Sequence, residues 1–553
     1  MQLQSALLAL GASLAVAVPT LEVQGEYFVN PKTGNRLQIV GVAYQPGGSA
    51  GYNEEAGRDP LSDPDICLRD AALLQILGVN TIRVYNVNPN LNHDKCASIF
   101  NAAGMYMVLD VNSPLVGEAL TSWHPWESYY AAYLNRTFAV VEAFKNYPNT
   151  LAFFSGNEVL NNEETGATVP PYARAVTRDL KNYIKKHSDR AIPVGYSAAD
   201  VRSILFDTYN YFQCSLKGDT NDMSKGDIFA LNSYSWCGDS SFKEASYDQL
   251  VSGFSGNSVP IFFSEYGCNT PSPRVFTEVG TIYGSQMDTV FSGGVVYEYT
   301  QEANNYGLVD MQTDGSAKLM KDFLSLKDQY AKLNFTEIQG KKAPSTSTAK
   351  APVCESKLIT TKGFNSNFTL PVLPPGAQDI IDKGVSPKPS GKLVEIKDWK
   401  VKFTVKNPDG TTISNLAVKP LGDDEINRAY PPSTPPDSAC METNTPKQSP
   451  APTPTPPPRP APTPPAPRPP PSPAPARTPL PARAPSSRLL LLWVLLPSWL
   501  RSKRGIGWIW MMGMLPSWTG LDRTGLDWTG LGRRGWRKRE GCVLRGYIHC
   551  VVT

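Results

Sequence analysis

The chain has 553 residues, 41% hydrophobic and 19% charged, enough for a large core and, on length alone, for about two to four domains. It holds no run of eighteen or more apolar residues, and nine cysteines are sparse over this length, so neither a membrane transporter nor a disulfide miniprotein fits. The net charge of +3 divides into +12 over residues 441–553 and −9 over the rest, which excludes a basic body built to grip nucleic acid.

The chain opens on an apolar run, Leu7 to Val18, with the small residues Ala15-Val16-Ala17 near its end. That pattern reads as a secretory signal peptide over residues 1–17. Sequons at Asn135, Asn334 and Asn367 fit an exported glycoprotein, in whose oxidising compartment the early cysteines are expected to pair.

Between residues 20 and 332, β-branched or aromatic runs alternate with helical patterns. Strands are expected at Leu37–Tyr44, Thr81–Asn86, Tyr106–Val111, Leu151–Glu158, Ile192–Ser197, Ile228–Trp236, Val259–Tyr266 and Gly294–Thr300. The first two are joined by a helix opened by Asp63-Pro64, whose proline suits a first turn, and closed by Gly78. Further helical patterns cover Cys96–Ala103, 127–146, 171–187, 199–206, 241–254, 276–291 and 316–332. Eight strand–helix units in about 310 residues predict an α/β architecture, a (β/α)8 TIM barrel. An open doubly wound sheet would want a Gly-rich phosphate turn after its first strand, and Gly47-Gly48 is followed by no helical pattern.

Residues 333–430 are mixed, with β-like runs such as Leu393–Val405, and read as a small β-containing accessory segment. Residues 431–487 form a Pro-rich spacer. Within it, 20 of the 40 residues at 446–485 are proline, so it buries no apolar face and is expected to be disordered and polyproline-like. Residues 488–553 form a basic, Trp-rich tail. Its apolar stretch at 489–500 is short for a membrane span and is followed by Arg501, Lys503 and Arg504. A translated intron or shifted frame is the expected origin of this tail, and no function is placed there. A GPI signal needs its apolar segment at the extreme C-terminus, so that signal is not intact in this chain.

In a barrel, chemistry collects at the C-terminal ends of the strands. Strand three ends at Asp110, strand four in Ser155-Gly156-Asn157-Glu158, and strand seven in Ser264-Glu265-Tyr266-Gly267; strand eight offers Tyr297-Glu298-Tyr299. Glu158 and Glu265 are expected on opposite sides of the mouth. Glycoside cleavage needs such a pair, one carboxyl protonating the leaving oxygen and the other, about 5 Å away in retaining enzymes, attacking the anomeric carbon. Taken singly, either glutamate has a plainer reading, an ion pair with Lys or Arg at the barrel rim. Asn-Glu on strand four together with Glu on strand seven favours the catalytic one. His93, His124, His187 and His549 are scattered and compose no metal site, and no Gly-x-Ser-x-Gly elbow starts a serine triad.

These residues carry a family resemblance. Tyr44-Gln45, Arg83-Val84-Tyr85, Phe154 to Glu158, Asn232-Ser233-Tyr234-Ser235-Trp236-Cys237, Phe263 to Asn269, Val296 to Tyr299 and Asn304 to Val309 resemble the fungal β-1,3-glucanosyltransferases of glycoside hydrolase family 72. The likeness spans about residues 20–430 and is to the shorter members, without the cysteine-rich carbohydrate-binding module. It implies a retaining transglycosylase that cleaves an internal β-1,3-linkage and passes the new reducing end to the non-reducing end of another glucan, elongating cell-wall glucan. By position Glu158 would be the acid/base and Glu265 the nucleophile, with Gln45, Tyr85, Asp110, Asn157, Tyr234, Tyr297 and Tyr306 lining the sugar subsites. Tyrosines suit that task because sugar rings present apolar C–H faces.

The resemblance also implies the disulfides Cys67–Cys96, Cys237–Cys268 and Cys214–Cys354, leaving Cys440, Cys542 and Cys550 unassigned. It implies no metal and no cofactor. The expected partners are β-1,3-glucan donor and acceptor chains, with no nucleic acid and no transmembrane span, acting on a monomer. The expected location is the outer face of the plasma membrane and the cell wall, where the family's GPI anchor would hold it. A plain secreted β-1,3-glucanase and a non-catalytic glucan-binding wall protein are the competing readings.

Overall fold

Eight parallel strands close into a barrel in chain order: β1 (Ile39–Ala43), β2 (Thr81–Val84), β3 (Tyr106–Asp110), β4 (Thr150–Asn157), β5 (Val194–Ala199), β6 (Ile228–Asn232), β7 (Ile261–Tyr266) and β8 (Phe291–Val296), which pairs with β1. All eight expected strands are present. The computed structural model describes residues 18–344, 349–422 and 425–431. The signal peptide, all of the spacer but Pro431, the tail and Cys440, Cys542 and Cys550 lie outside the described residues.

The strands are buried on both faces, as a parallel barrel requires. Their inward side chains, among them Ile39, Val108, Phe154, Ala230 and Phe262, make a small inner core. An antiparallel hairpin, Glu22–Gln24 with Tyr27–Val29, adds Phe28 to that core, its ring 6.0 Å from Phe262. Apolar side chains therefore fill one part of the interior, and the inward positions nearer the strands' C-terminal ends are polar: Arg83, Asp110, Asn157, Ser197, Asn232 and Ser264.

The helices form the outer layer: α1 (Pro64–Ile76), α2 (Asp94–Ala102), α3 (Ala131–Phe144), α4 (Pro170–His187), α5 (Leu205–Gln213), α6 (Tyr247–Phe254), α7 (Glu278–Ile282) and α8 (Lys321–Tyr330). Asp63 caps α1, its carboxylate accepting from the backbone N–H of Asp65 and Ile66, with Pro64 at the first position. Several boundaries differ from those expected. Helix α5 begins at Leu205 instead of residue 199, because Asp200 and Arg202 pair with each other in the preceding loop. Helix α7 stops at Ile282 rather than reaching residue 291, and residues 316–320 are not helical because Ala317–Leu319 pairs as a strand.

The segment after the barrel has no core of its own. Phe364, Ile381, Val385, Val405 and Leu416 join the same buried cluster as the barrel helices. The Cys214–Cys354 disulfide fastens it to the barrel, and beyond that bridge it runs back over the helices. Arg178 of α4 donates to the Pro371 carbonyl, Lys392 N–H donates to Asp94 of α2, and Tyr430 N–H to the Ile76 carbonyl of α1. The β-like run Leu393–Val405 is largely irregular: Val394 N–H donates to Ser98 of α2, Val401 N–H to the Leu416 carbonyl beside an isolated bridge of Lys400 with Ala417, and Val405–Lys406 alone joins a strand, Ala317–Leu319. Disulfides also link Cys67 with Cys96, and Cys237 with Cys268.

Candidate active site

Arg83 organises the mouth of the barrel. The period of two along β2 turns its side chain inward, where it is fully buried. Its Nη1 donates to Glu265 Oε1 at 3.1 Å and to Asn232 Oδ1 at 3.3 Å; its Nη2 donates to Asp110 Oδ2 at 3.0 Å and Asn157 Oδ1 at 2.8 Å. The guanidinium lies 4.4 Å from the centroid of the Tyr85 ring and 4.9 Å from that of Phe154. One cation thus ties together the ends of β2, β3, β4, β6 and β7.

Glu265 collects donors on both oxygens. Besides Arg83, Oε1 accepts from the Tyr85 hydroxyl at 2.9 Å, and Oε2 accepts from the Tyr234 hydroxyl at 2.6 Å. Two of these donors are neutral hydroxyls and one is a cation, so both carboxyl oxygens serve as acceptors. A register shift between β6 and β7 pairs Asn232 with Glu265 directly after Leu231 with Phe263. That irregularity lets two consecutive side chains reach polar partners in the mouth, Ser264 bonding Asn232 Oδ1 at 2.7 Å while Glu265 takes the three donors.

Glu158 is held differently. It follows the last residue of β4 in the left-handed region, φ 50°, a conformation unusual for a side chain of this size, and its N–H donates to the Ser197 carbonyl at 2.8 Å. Its carboxyl receives one protein hydrogen bond, from Asn232 Nδ2 to Oε1 at 2.8 Å. Burial first and the nearby charge of Glu265 second push its pKa up to about 7. Asp110 is raised to about 6 by burial, against the opposing pull of Arg83. The two glutamates stand at the ends of β4 and β7, three strands apart rather than diametrically opposite; Asn232 on β6 donates to Glu158 and accepts from the same Arg83 nitrogen that donates to Glu265.

Asn157 Oδ1 accepts from Arg83, from the Ser197 hydroxyl at 2.8 Å and from Asn232 Nδ2 at 3.1 Å. Around the glutamates, Tyr85, Tyr234, Tyr297 and Tyr306 form a set of edge-to-face rings. Their centroids are 5.3 Å apart for Tyr297–Tyr306, 5.5 Å for Tyr234–Tyr306, 6.2 Å for Tyr234–Tyr297 and 6.3 Å for Tyr85–Tyr297. Gln45 follows β1; its side chain is buried, with Nε2 making no hydrogen bond to the protein. Every sequence-expected subsite residue therefore lies at the C-terminal ends of the barrel strands or in the loops that follow them.

Arg83, Asn232, Ser197 and Ser264 had no assigned role in the sequence reading, nor had Glu298. Buried beyond β8, Glu298 accepts from Asn304 Nδ2 at 2.9 Å, and burial with the adjoining Glu302 carboxyl raises it to about 8. Glu302 in turn packs against Gly48, where φ is 62° and a Cβ would come within 2.2 Å of the carboxyl carbon; that close approach is the use of the Gly47-Gly48 pair. Arg274, also unassigned, donates to the carbonyls of Gly267, Tyr297 and Tyr306, fixing the β7 and β8 loops to each other. Of the sequon residues, Asn334 and Asn367 are exposed, whereas Asn135 is half-buried within α3 and its Thr137 is fully buried.

Comparison with known proteins follows the same lines. The family model described as Glucanosyltransferase, of glycoside hydrolase family 72, matches residues 11–334. The 1,3-beta-glucanosyltransferase gel2 of Aspergillus fumigatus is 54% identical over 416 residues, 75% of this chain and 86% of that protein. The probable 1,3-beta-glucanosyltransferase GAS3 of Saccharomyces cerevisiae is 45% identical over 431 residues, covering 74% and 81%. Among solved structures, a mutant of Saccharomyces cerevisiae Gas2p in complex with laminaritetraose and laminaripentaose superposes with a TM-score of 0.54 at 34% identity, covering 64% of this chain and 75% of that one.

Proposed function

The chain belongs to glycoside hydrolase family 72, the glucanosyltransferases, and from that premise we propose that it is a retaining β-1,3-glucan transglycosylase with Glu265 as nucleophile and Glu158 as acid/base. The observation that carries the role assignment is the contrast in hydrogen bonding: three donors on Glu265, one on Glu158 with its pKa near 7. In the first step the Glu265 carboxylate attacks the anomeric carbon while Glu158 gives its proton to the departing glycosidic oxygen. The leaving chain departs, and the donor remains as a glycosyl ester on Glu265.

Formation of that ester removes the negative charge that helps hold Glu158 protonated, so Glu158 ionises more readily and becomes the base for the second step. It takes the proton from an acceptor hydroxyl, whose oxygen attacks the anomeric carbon and releases Glu265. Transfer outcompetes hydrolysis when the acceptor is positioned well enough to offset the high concentration of water. The tyrosine set supplies apolar faces for that positioning, and Asn157 a donor for a sugar hydroxyl beside the reacting carbon.

The disulfides support export of the chain. Three disulfides among the described residues belong to an oxidising compartment, and no described helix is long and apolar enough to cross a membrane. The outer cell surface, where glucan is assembled, is the proposed location.

The test is to express the full chain in an oxidising secretory host and incubate it with one purified, reducing-end-blocked β-1,3-glucan oligosaccharide, sizing the products over time. Species longer than the starting material are expected. Only shorter species would make it a hydrolase, and a folded protein that bound the glucan without changing it would be a wall-binding protein.

A further inference from the structure

Five of the nine large hydrophobic side chains exposed among the described residues fall in the one connection between β3 and α3, which includes a helical turn at Pro125–Ser128: Leu115, Val116, Trp123, Trp126 and Tyr130. Trp123 is 58% exposed and Trp126 49%, so each presents much of an indole to solvent. Such a concentration of apolar surface on one segment marks a binding site more often than chance exposure does.

The loop lies on the catalytic side of the barrel, since it leaves the C-terminal end of β3 directly after Asp110 and delivers the chain to α3. It is also a built feature. Arg136 of α3 donates from Nε to Glu118 at 2.7 Å, from Nη1 to the Val111 carbonyl at 2.9 Å and from Nη2 to the Val87 carbonyl at 2.7 Å, two residues past Tyr85. Asn112 donates to the Ser155 carbonyl of β4, and Tyr133 donates to Asn112. The outer half is shaped by Ser128 Oγ, which accepts from Thr121 N–H at 3.0 Å. The base of this segment is thus tied to the chain just past β2 and to β4, the strands whose ends carry Tyr85 and Glu158.

We propose that Trp123 and Trp126 form an outer glucan subsite, a platform on which sugar units remote from the cleaved bond stack their C–H faces. This rests on the glucanosyltransferase reading above. The ligand class is a neutral β-1,3-linked glucan longer than the inner tyrosine-lined subsites accommodate. Charge argues for it: residues 112–130 contain Glu118 and Glu127 and no Lys or Arg, which disfavours an anionic lipid surface and is indifferent to an uncharged polysaccharide. The exposed His124 lies 3.7 Å from Glu127 and beside the Trp126 ring.

The experiment compares the full chain with a Trp123→Ala/Trp126→Ala double variant on polymeric β-1,3-glucan and on a short blocked oligosaccharide, together with Trp123→Phe/Trp126→Phe and a circular-dichroism melt. The alanine pair is expected to raise KM for the polymer about five- to fiftyfold while leaving turnover of the short substrate unchanged, and the phenylalanine pair to restore part of the loss. Equal kinetics on the polymer, or an equal loss on both substrates, would overturn the outer subsite. Loss of binding to vesicles of phosphatidylcholine and phosphatidylserine with glucan kinetics intact would overturn it in favour of a membrane contact. If the unaltered chain transfers nothing from the short oligosaccharide, the functional reading fails instead, and the two failures are separate.

Discussion

The end of β7 and the end of β4 carry the same side chain in opposite settings. Glu265 is surrounded by Arg83, Tyr85 and Tyr234, all donors. Glu158 has Asn232 and otherwise burial and a like charge, and its pKa rises to about 7. That contrast is what the proposed roles rest on, Glu265 to attack and Glu158 to give up a proton, and it is made by neighbours from the ends of β2 and β6.

The largest effect on that contrast should come from Arg83. Arg83→Met removes a buried cation from between Glu265 and Asp110 and leaves their charges uncompensated. Stability is expected to fall by about 3–5 kcal/mol, read by denaturant unfolding. Arg83→Lys keeps the charge and loses the fork, and should fold while transferring about 100- to 1000-fold more slowly. A fully active lysine variant would show that the fork is not what prepares Glu265.

Next come the hydroxyls. Tyr85→Phe and Tyr234→Phe each delete one hydrogen bond to the carboxylate while keeping the ring, and each should lower kcat/KM by about 10- to 100-fold, from a loss of roughly 1.5–3 kcal/mol. If the loss fell on KM alone, the hydroxyls would serve sugar binding and not the nucleophile.

The third effect concerns stability against pH. The folded pKa of Glu158 lies above its unfolded value, so the folded state binds the extra proton and its ionisation opposes folding. That cost is absent below pH 4.5, grows between there and about 7, and is complete above. Glu158→Gln should therefore gain stability relative to the unaltered chain as pH rises through that window, by about 3 kcal/mol, while losing nearly all transfer. A gap in melting temperature that stayed flat from pH 4 to pH 8 would contradict the raised pKa.

The smallest effect lies in the pH profile itself. Turnover governed by protonated Glu158 should decline as pH passes about 7, and the decline should vanish for a substrate whose leaving group needs no proton.

The eight strands were legible because β-branched and aromatic runs are long and bounded by turns, and Asp63-Pro64 marked its helix through local capping alone. Glu158 and Glu265 were legible as strand-end carboxylates. What the sequence did not disclose was convergence. Arg83 stands in the motif Arg83-Val84-Tyr85, yet nothing local says that its guanidinium reaches Asp110, Asn157, Asn232 and Glu265, since each contact spans a different strand. The plainer reading of a glutamate paired with arginine also holds in part: Glu265 does pair with Arg83, but inside the mouth and together with two tyrosines. Residues 393–404 misled because β propensity describes a surface waiting for a partner, and what the run meets is a helix side chain at Val394 and a single isolated bridge at Lys400.

The most direct test of the two roles uses azide with a β-linked glucan oligosaccharyl fluoride, whose leaving group needs no acid. In Glu265→Ala, azide should attack the fluoride itself and give the inverted α-glycosyl azide. In Glu158→Ala, it should attack the ester on Glu265 and give the β-glycosyl azide of retained configuration. NMR of the anomeric proton distinguishes the two products. Finding the β-azide from the Glu265 variant and the α-azide from the Glu158 variant would reverse the assignment, and with it the account of what the two strand ends do.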